Sequence, residues 1–354
     1  MAGRRPQKGG GKMIYNKAPQ NSSLGYILFQ YDLYPEKIEQ FGKVKKVVSR
    51  KGTFALKEST MTNEQANWFS HVMRRLEKLN YNKIIPIIPT KYGDLTISHQ
   101  NKTYYLQPWF SEEAELREDK KELTLFKQLG KLHGLTVKPQ EFSKETIENS
   151  YQDLIKRWEK RRLEMEYFAE EAERKAYISP FELTYLTHFS RMDMMANVAV
   201  NYLKEWRDQC LEKESYRACL CHGKLDRNHI FYHPNGYGYL LNFEKAVLDT
   251  PARDLAISFR RSFQYNLWSE DQGSDWLATY EDSLLLEDEE KKLLASYLIY
   301  PEIIFHCIDH YRKRDGSITE LQFVQVLEKR IITMSRVDHF IHNTLLRKPS
   351  DESK

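Results

Sequence analysis

Cysteine is scarce in this chain of 354 residues: only Cys210, Cys219, Cys221 and Cys307 occur. Four thiols are too few for a disulfide scaffold, and a reducing compartment is expected. Long apolar runs are missing as well. None approaches the ~20 residues that span a bilayer, the mean hydropathy is −0.67, and no N-terminal apolar segment of signal-peptide type is present. Neither membrane insertion nor signal-peptide secretion is expected. An excess of positive charge is lacking in the body of the chain. Lys and Arg total 54 against 50 Asp and Glu, a net +4, and Arg4, Arg5, Lys8 and Lys12 supply all of it. From Met13 onward the charges cancel, so the basic stripe of a nucleic-acid-binding domain is absent and no nucleic-acid partner is expected. Internal repeats and long low-complexity stretches are absent too.

What is present is a change of texture. Residues 1–24 read as a flexible basic tail and lead-in, with three consecutive glycines at 9–11. Residues 25–107 read as a small β-rich lobe. Val44–Val48, Thr53–Leu56, Leu95–Ser98 and Thr103–Leu106 are strand-like runs, and one helix over about Thr62–Leu79 carries Trp68, Phe69, Val72 and Leu76 at helical spacing. Residues 108–346 read as a helical lobe and 347–354 as a tail. Leu123, Phe126, Leu129, Leu132 and His133 form one stripe, and a charge-rich helical segment continues in pieces to about Leu211. A strand–loop–hairpin is embedded at 219–249. The final helix opens with Ser317-Ile318-Thr319-Glu320, a capping-box pattern. Strands around a helix followed by a helical lobe give an α+β class.

Three local signals carry chemistry. Gly52-Thr53-Phe54-Ala55-Leu56-Lys57 puts a lysine at the end of an apolar strand, where its stem can reach toward a cleft. Leu129-Gly130-Lys131-Leu132-His133-Gly134 ends a helix. Cys221-His222-Gly223 opens a polar loop, followed by Leu240-Leu241-Asn242-Phe243-Glu244 and then by Asp249-Thr250-Pro251-Ala252-Arg253-Asp254-Leu255. A zinc reading of Cys219, Cys221, His222, His229 and His233 suffers from poor ligand spacing, and no metal site is expected.

In this order the segments resemble the aminoglycoside-phosphotransferase-like branch of the two-lobed protein-kinase-like fold. There, a loop of form H-G-D-x-x-x-x-N precedes a hairpin and then I-D-F-E. The D-x-P-x-R-D-L stretch and the 151–211 segment, with Phe181-Glu182 and Tyr185-Leu186, are similar to the bacterial spore-coat kinase-like family of CotS type. The resemblance implies synthesis in the mother-cell cytoplasm, a place in the spore coat and other coat proteins as partners. It implies that Lys57 holds nucleotide phosphates and pairs with a helix carboxylate, Glu64 or alternatively Glu77. It also implies that His222 braces the loop, that Gly223 permits its backbone geometry, and that Asp254 anchors it from below.

The departures are chemical. Aligned without gaps from His222, the catalytic Asp falls on Lys224, the metal-binding Asn on His229, and the magnesium-binding Asp on Asn242. A protonated lysine cannot accept a proton, and an amide is a poor substitute for a carboxylate on magnesium. Asp226 is the nearest candidate for a displaced base, and Lys224 could pair with Asp226 or Glu244. No G-x-G-x-x-G occurs over Glu36–Lys57. The expectation is a catalytically impaired pseudokinase of the spore coat with a vestigial nucleotide site at Lys57, Glu64 and Asn242. It requires no cofactor, although ATP and magnesium stay open. The alternative is an atypical ATP-dependent kinase of a small molecule or a coat protein.

Overall fold

The computed structural model describes residues 14–15, 23–110, 118–234, 236–265, 268–314 and 316–347. The basic tail expected at 1–12 and the end of the chain from 348 lie outside these residues. In chain order the elements are β1 (Ile14–Tyr15), α1 (Ser23–Gln30), β2 (Pro35–Phe41), β3 (Val44–Ser49), β4 (Gly52–Ser59), α2 (Asn63–Lys78), β5 (Ile97–His99), β6 (Lys102–Pro108), α3 (Glu118–Thr136), β7 (Lys138–Glu141), α4 (Lys144–Glu173), α5 (Pro180–Leu211), β8 (Ser215–Cys221), β9 (Ile230–Tyr232), β10 (Gly238–Leu240), β11 (Val247–Asp249), α6 (Pro251–Tyr265), α7 (Glu270–Glu281), α8 (Asp288–Ile299), α9 (Glu302–Arg312) and α10 (Glu320–Phe340). None of the described helices is long and apolar enough to cross a membrane.

The chain folds as two units, one of residues 1–117 with 228–246, the other of 118–227 with 247–354. The first is built on an antiparallel sheet in the order β1-β2-β3-β4-β6-β5. Its core gathers Val47, Leu56, Tyr104 and Leu106 from the strands with Ile27 and Leu28 of α1. The sequence reading had one helix in this unit. The short helix α1 adds a second, and its two buried residues, Ile27 and Leu28, cover the sheet. Helix α2 starts on a Thr62–Gln65 capping box and buries Ala66, Phe69, Val72, Met73 and Leu76. The sequence pattern assigns the hairpin segment 219–249 to the helical lobe, yet residues 228–246 fold with the sheet unit. Backbone hydrogen bonds tie them there: Leu240 N–H to Lys83 O at 2.8 Å and Ile85 N–H to Leu240 O at 3.1 Å.

The second unit is mainly helical, with a three-stranded antiparallel sheet in the order β11-β8-β7. The long segment 144–211 is two helices, each started by a serine cap, and Ser179 with Glu182 closes a capping box behind Pro180. Helix α10 is capped by Thr319 and Gln322 rather than by the Ser317/Glu320 pattern. Glu320 instead accepts from the Phe181 N–H at 3.0 Å and from the Tyr311 hydroxyl at 3.2 Å. Helix α3 approaches the end of α7 through Gly130 and Gly134. A Cβ on Gly130 would stand 2.6 Å from the Tyr280 carbonyl oxygen, and one on Gly134 2.6 Å from that of Ser283. Both obstacles are backbone, so relief requires moving a helix. Gly134→Ala is expected to destabilise the protein by roughly 1–3 kcal/mol, the usual range for overpacking. Denaturant unfolding checks this, and an unchanged midpoint would mean the two helices are free to separate.

Candidate active site

In the sheet unit, β4 presents Lys57 between Val44 of β3 and Tyr105 of β6. Its ammonium donates to Asn242 Oδ1 and lies 5.7 Å from the centre of the Tyr105 ring. Asn242 adopts a left-handed backbone (φ 65°, ψ 54°), which asparagine tolerates better than most residues. This turn carries Glu244 back to the sheet, where its carboxylate accepts from the hydroxyls of Ser59 and Tyr105, both at 2.7 Å. Trp68 of α2 donates its indole N–H to Ala246 O at 2.7 Å and secures the far end of the segment. Burial pushes the Lys57 ammonium down to about 8, with the Glu244 charge opposing the fall. Burial, with Glu244 next to it, raises the Tyr105 hydroxyl well above its ordinary value.

The structure corrects one pairing. Glu64 and Glu77 are both exposed on α2, Glu64 in its first turn, and neither meets Lys57. The carboxylate that acts on Lys57 is Glu244, the last residue of the Asn242-Phe243-Glu244 run. The hairpin before the Lys57 strand matters as well. β2 and β3 close at Phe41 and Val44, leaving only Gly42 and Lys43 in the turn, too short to fold over a triphosphate.

In the helical unit, β8 delivers His222 and Gly223 to Asp254 at the start of α6. The backbone N–H groups of both residues donate to the Asp254 carboxylate, that of Gly223 at 2.8 Å. Gly223 has φ +77°, a conformation that favours glycine. Asp254 is fully buried, and His133 Nε2 of α3 stands 3.4 Å from its Oδ2. The other nitrogen of His133 meets the Tyr280 hydroxyl at 2.9 Å. Burial alone would lower the His133 pKa, but the bond to Asp254 and the neighbouring Cys221 raise it to about 9. Burial alone would raise Asp254, but His133, His222 and the Gly223 N–H hold it below its ordinary value. The pair is therefore an imidazolium and a carboxylate, both out of water.

Of the remaining loop residues, Lys224 is exposed and His229 half-buried. Asp226 is buried with its carboxylate on the Arg261 guanidinium, so it takes Arg261 where a pairing with Lys224 was open. Among the described residues, His133, Cys219 and Cys221 form a group of metal-ligating type, with ligand atoms within 4.8 Å of one another. The thiols are 3.9 Å apart. The third member is His133 from α3 rather than His222, His229 or His233, a partner no local spacing could reveal. Both nitrogens of His133 are engaged, so a metal here would have to displace Tyr280 or Asp254 from the imidazole.

The residues present do not fit a magnesium–nucleotide centre. Asn242, which the resemblance aligns with the main metal ligand, is a neutral amide whose oxygen already accepts from Lys57, and Glu244 is held by two hydroxyls. Of the residues gathered around Asn242, Lys57 is the one suited to a phosphate. Over residues 26–344 the chain matches the family described as "Spore coat putative kinase YutH". The chain belongs to this family. It is 26% identical over 232 residues to the endospore coat-associated protein YutH of Bacillus subtilis (strain 168), a match that spans 63% of this chain and only 62% of that relative's length. The fold is that of the kinase-like phosphotransferases. An aminoglycoside phosphotransferase of Alicyclobacillus acidocaldarius superposes with TM-score 0.72 at 16% identity, over 92% of this chain and 97% of that one. Spectinomycin phosphotransferase in complex with ADP and spectinomycin gives 0.54 at 14%, over 88% and 96%.

The buried pair sets a pH dependence. The raised His133 contributes stability in full below its ordinary 6.5, and the contribution is lost as pH rises toward about 9. The lowered Asp254 contributes above its ordinary 3.8 and loses its share as pH falls below that. Thermal melting should therefore weaken between pH 6.5 and 9, and His133→Phe, though less stable throughout, should flatten that window. A wild-type melting temperature that holds constant there would contradict the ion pair.

Proposed function

We propose that this chain is a spore coat-associated protein that uses the kinase-like scaffold as a binding or structural body, with its phosphotransfer chemistry impaired. The observation that carries the reading is Asn242. Phosphoryl transfer depends on metal ions that bridge the phosphates and offset developing charge, and the family's magnesium aspartate is here an amide spent on Lys57. Two further observations support it. Lys224 stands where a base is required, and the Gly42-Lys43 turn gives no phosphate cover. The B. subtilis relative's name places that protein at the endospore coat. We extend the same location to this chain, with other coat proteins as its partners.

A second reading, an atypical kinase, draws on Lys57 with Glu244 beside it. The deciding experiment is ATP turnover by the unmodified protein with magnesium, against hydroxyl-bearing small molecules and coat-protein acceptors. Turnover equal to buffer is expected. Magnesium-dependent turnover near 1 s⁻¹, about the low end for kinases, would establish the kinase instead. The triple substitution Lys224→Asp, His229→Asn, Asn242→Asp should gain magnesium-dependent nucleotide binding, whereas Lys224→Asp alone should not.

A further inference from the structure

The helical unit contains a cavity of about 650 Å³ between α4, α6 and the α8–α9 corner. Arg157 and Arg161 of α4 reach it from positions four apart, and Arg253 and Arg260 of α6 from positions seven apart, so each pair occupies one helix face. Four guanidinium groups meet only two carboxylates in the lining, Asp249 and Glu302.

The four arginines are not equivalent. Arg161 is neutralised by Asp309, with Nη1 at 3.0 Å from Oδ1, and by Glu164 at 2.8 Å. Arg253 is paired with Asp249. Arg157 donates only to the backbone carbonyl of Asp153 at 3.2 Å, and half-buried Arg260 donates to the carbonyl of Tyr297. Among the described residues neither has a carboxylate within 4.0 Å. For Arg260, half-buried, a guanidinium taken partly out of water without an ion-pair partner is costly, whereas Arg157 is exposed and free to turn toward an occupant. Burial lowers the Arg260 pKa, and Glu302 only opposes the fall. Guanidinium donors match carboxylate and phosphate oxygens in geometry, and the resulting bonds are strong.

We propose that this cavity binds a small, multiply charged oxyanion, phosphate- or carboxylate-bearing, seated on Arg157 and Arg260. The assignment is independent of whether phosphotransfer is retained. The cavity shares its wall with the loop anchor, since Arg253 immediately precedes Asp254 in sequence. An occupant would therefore bear on the segment that holds His222 and Gly223.

The test is calorimetric titration of the full chain with inorganic phosphate and with citrate, at ionic strength held constant with sodium chloride. The proteins compared are the unmodified chain, R157Q, R260Q and R174Q. Arg174 is exposed and serves as the control. Saturable binding of at least one probe is expected. It should be weakened about tenfold or more by R157Q or R260Q, the scale of one lost charge-assisted hydrogen bond, and unchanged by R174Q. Binding of phosphate alone assigns a phosphoryl group and of citrate alone a carboxylate group. Binding of neither probe, or affinity unchanged in both R157Q and R260Q, overturns the proposal. R157Q lies on an exposed helix position, so the test survives if R260Q fails to fold.

Discussion

A single buried carboxylate, that of Asp254, organises the helical unit. It accepts the N–H groups of two successive residues, His222 and Gly223, and so sets the conformation of the loop that follows β8. A full negative charge in that position is tolerable because His133 lies against it as its cation. His133 reaches the site because α3 rests on α7 through two glycines. Removing either charge would strand the other, a loss on the order of 3–5 kcal/mol for a buried pair. His222, Gly223, His133 and Asp254 thus answer to folding, whatever chemistry the loop performs.

That division separates the residues the kinase-like scaffold stands on from those on which the proposed loss of chemistry rests. The groups that hold the Asp254 carboxylate are the His222 and Gly223 N–H groups and His133, so the knot does not rest on the exposed Lys224 side chain. Asn242 keeps the turn that its left-handed backbone requires, because asparagine accepts that conformation. What the amide does not keep is charge. Lys57 receives a neutral oxygen from Asn242, and Glu244, the carboxylate that acts on it, is shared between Ser59 and Tyr105. The arrangement holds a lysine in place with one amide oxygen and one carboxylate, and that carboxylate is already bonded to two hydroxyls.

Much of this was legible in the sequence. The boundaries of α2 follow from a capping threonine and an apolar stripe, and the β-rich and helical textures separate the two units because each periodicity leaves its own pattern. The motif order led to the fold through resemblance, and Asp254 to its anchoring task. What escaped was non-local. Residues 228–246 join the sheet unit through backbone bonds at Leu240, which no side-chain pattern announces. Glu64 looked suited to Lys57 by helix position, but a first-turn carboxylate also suits the helix N-terminus and solvent. Glu244 reaches Lys57 from 187 positions away through a turn set by one left-handed residue. The arginines of α4 and α6 are ordinary polar-face residues until the fold turns both helices toward one cavity.

On the reading proposed above, a nucleotide at Lys57 would bind without a metal. The most direct test of that reading is ATP affinity of the unmodified chain, measured by calorimetry with magnesium and then with magnesium removed by chelation. Any affinity owed to Lys57 should be weak, fall as pH rises through about 8, and not depend on magnesium. An affinity that appears only with magnesium would contradict the reading, since it would require a carboxylate ligand that Asn242 does not supply.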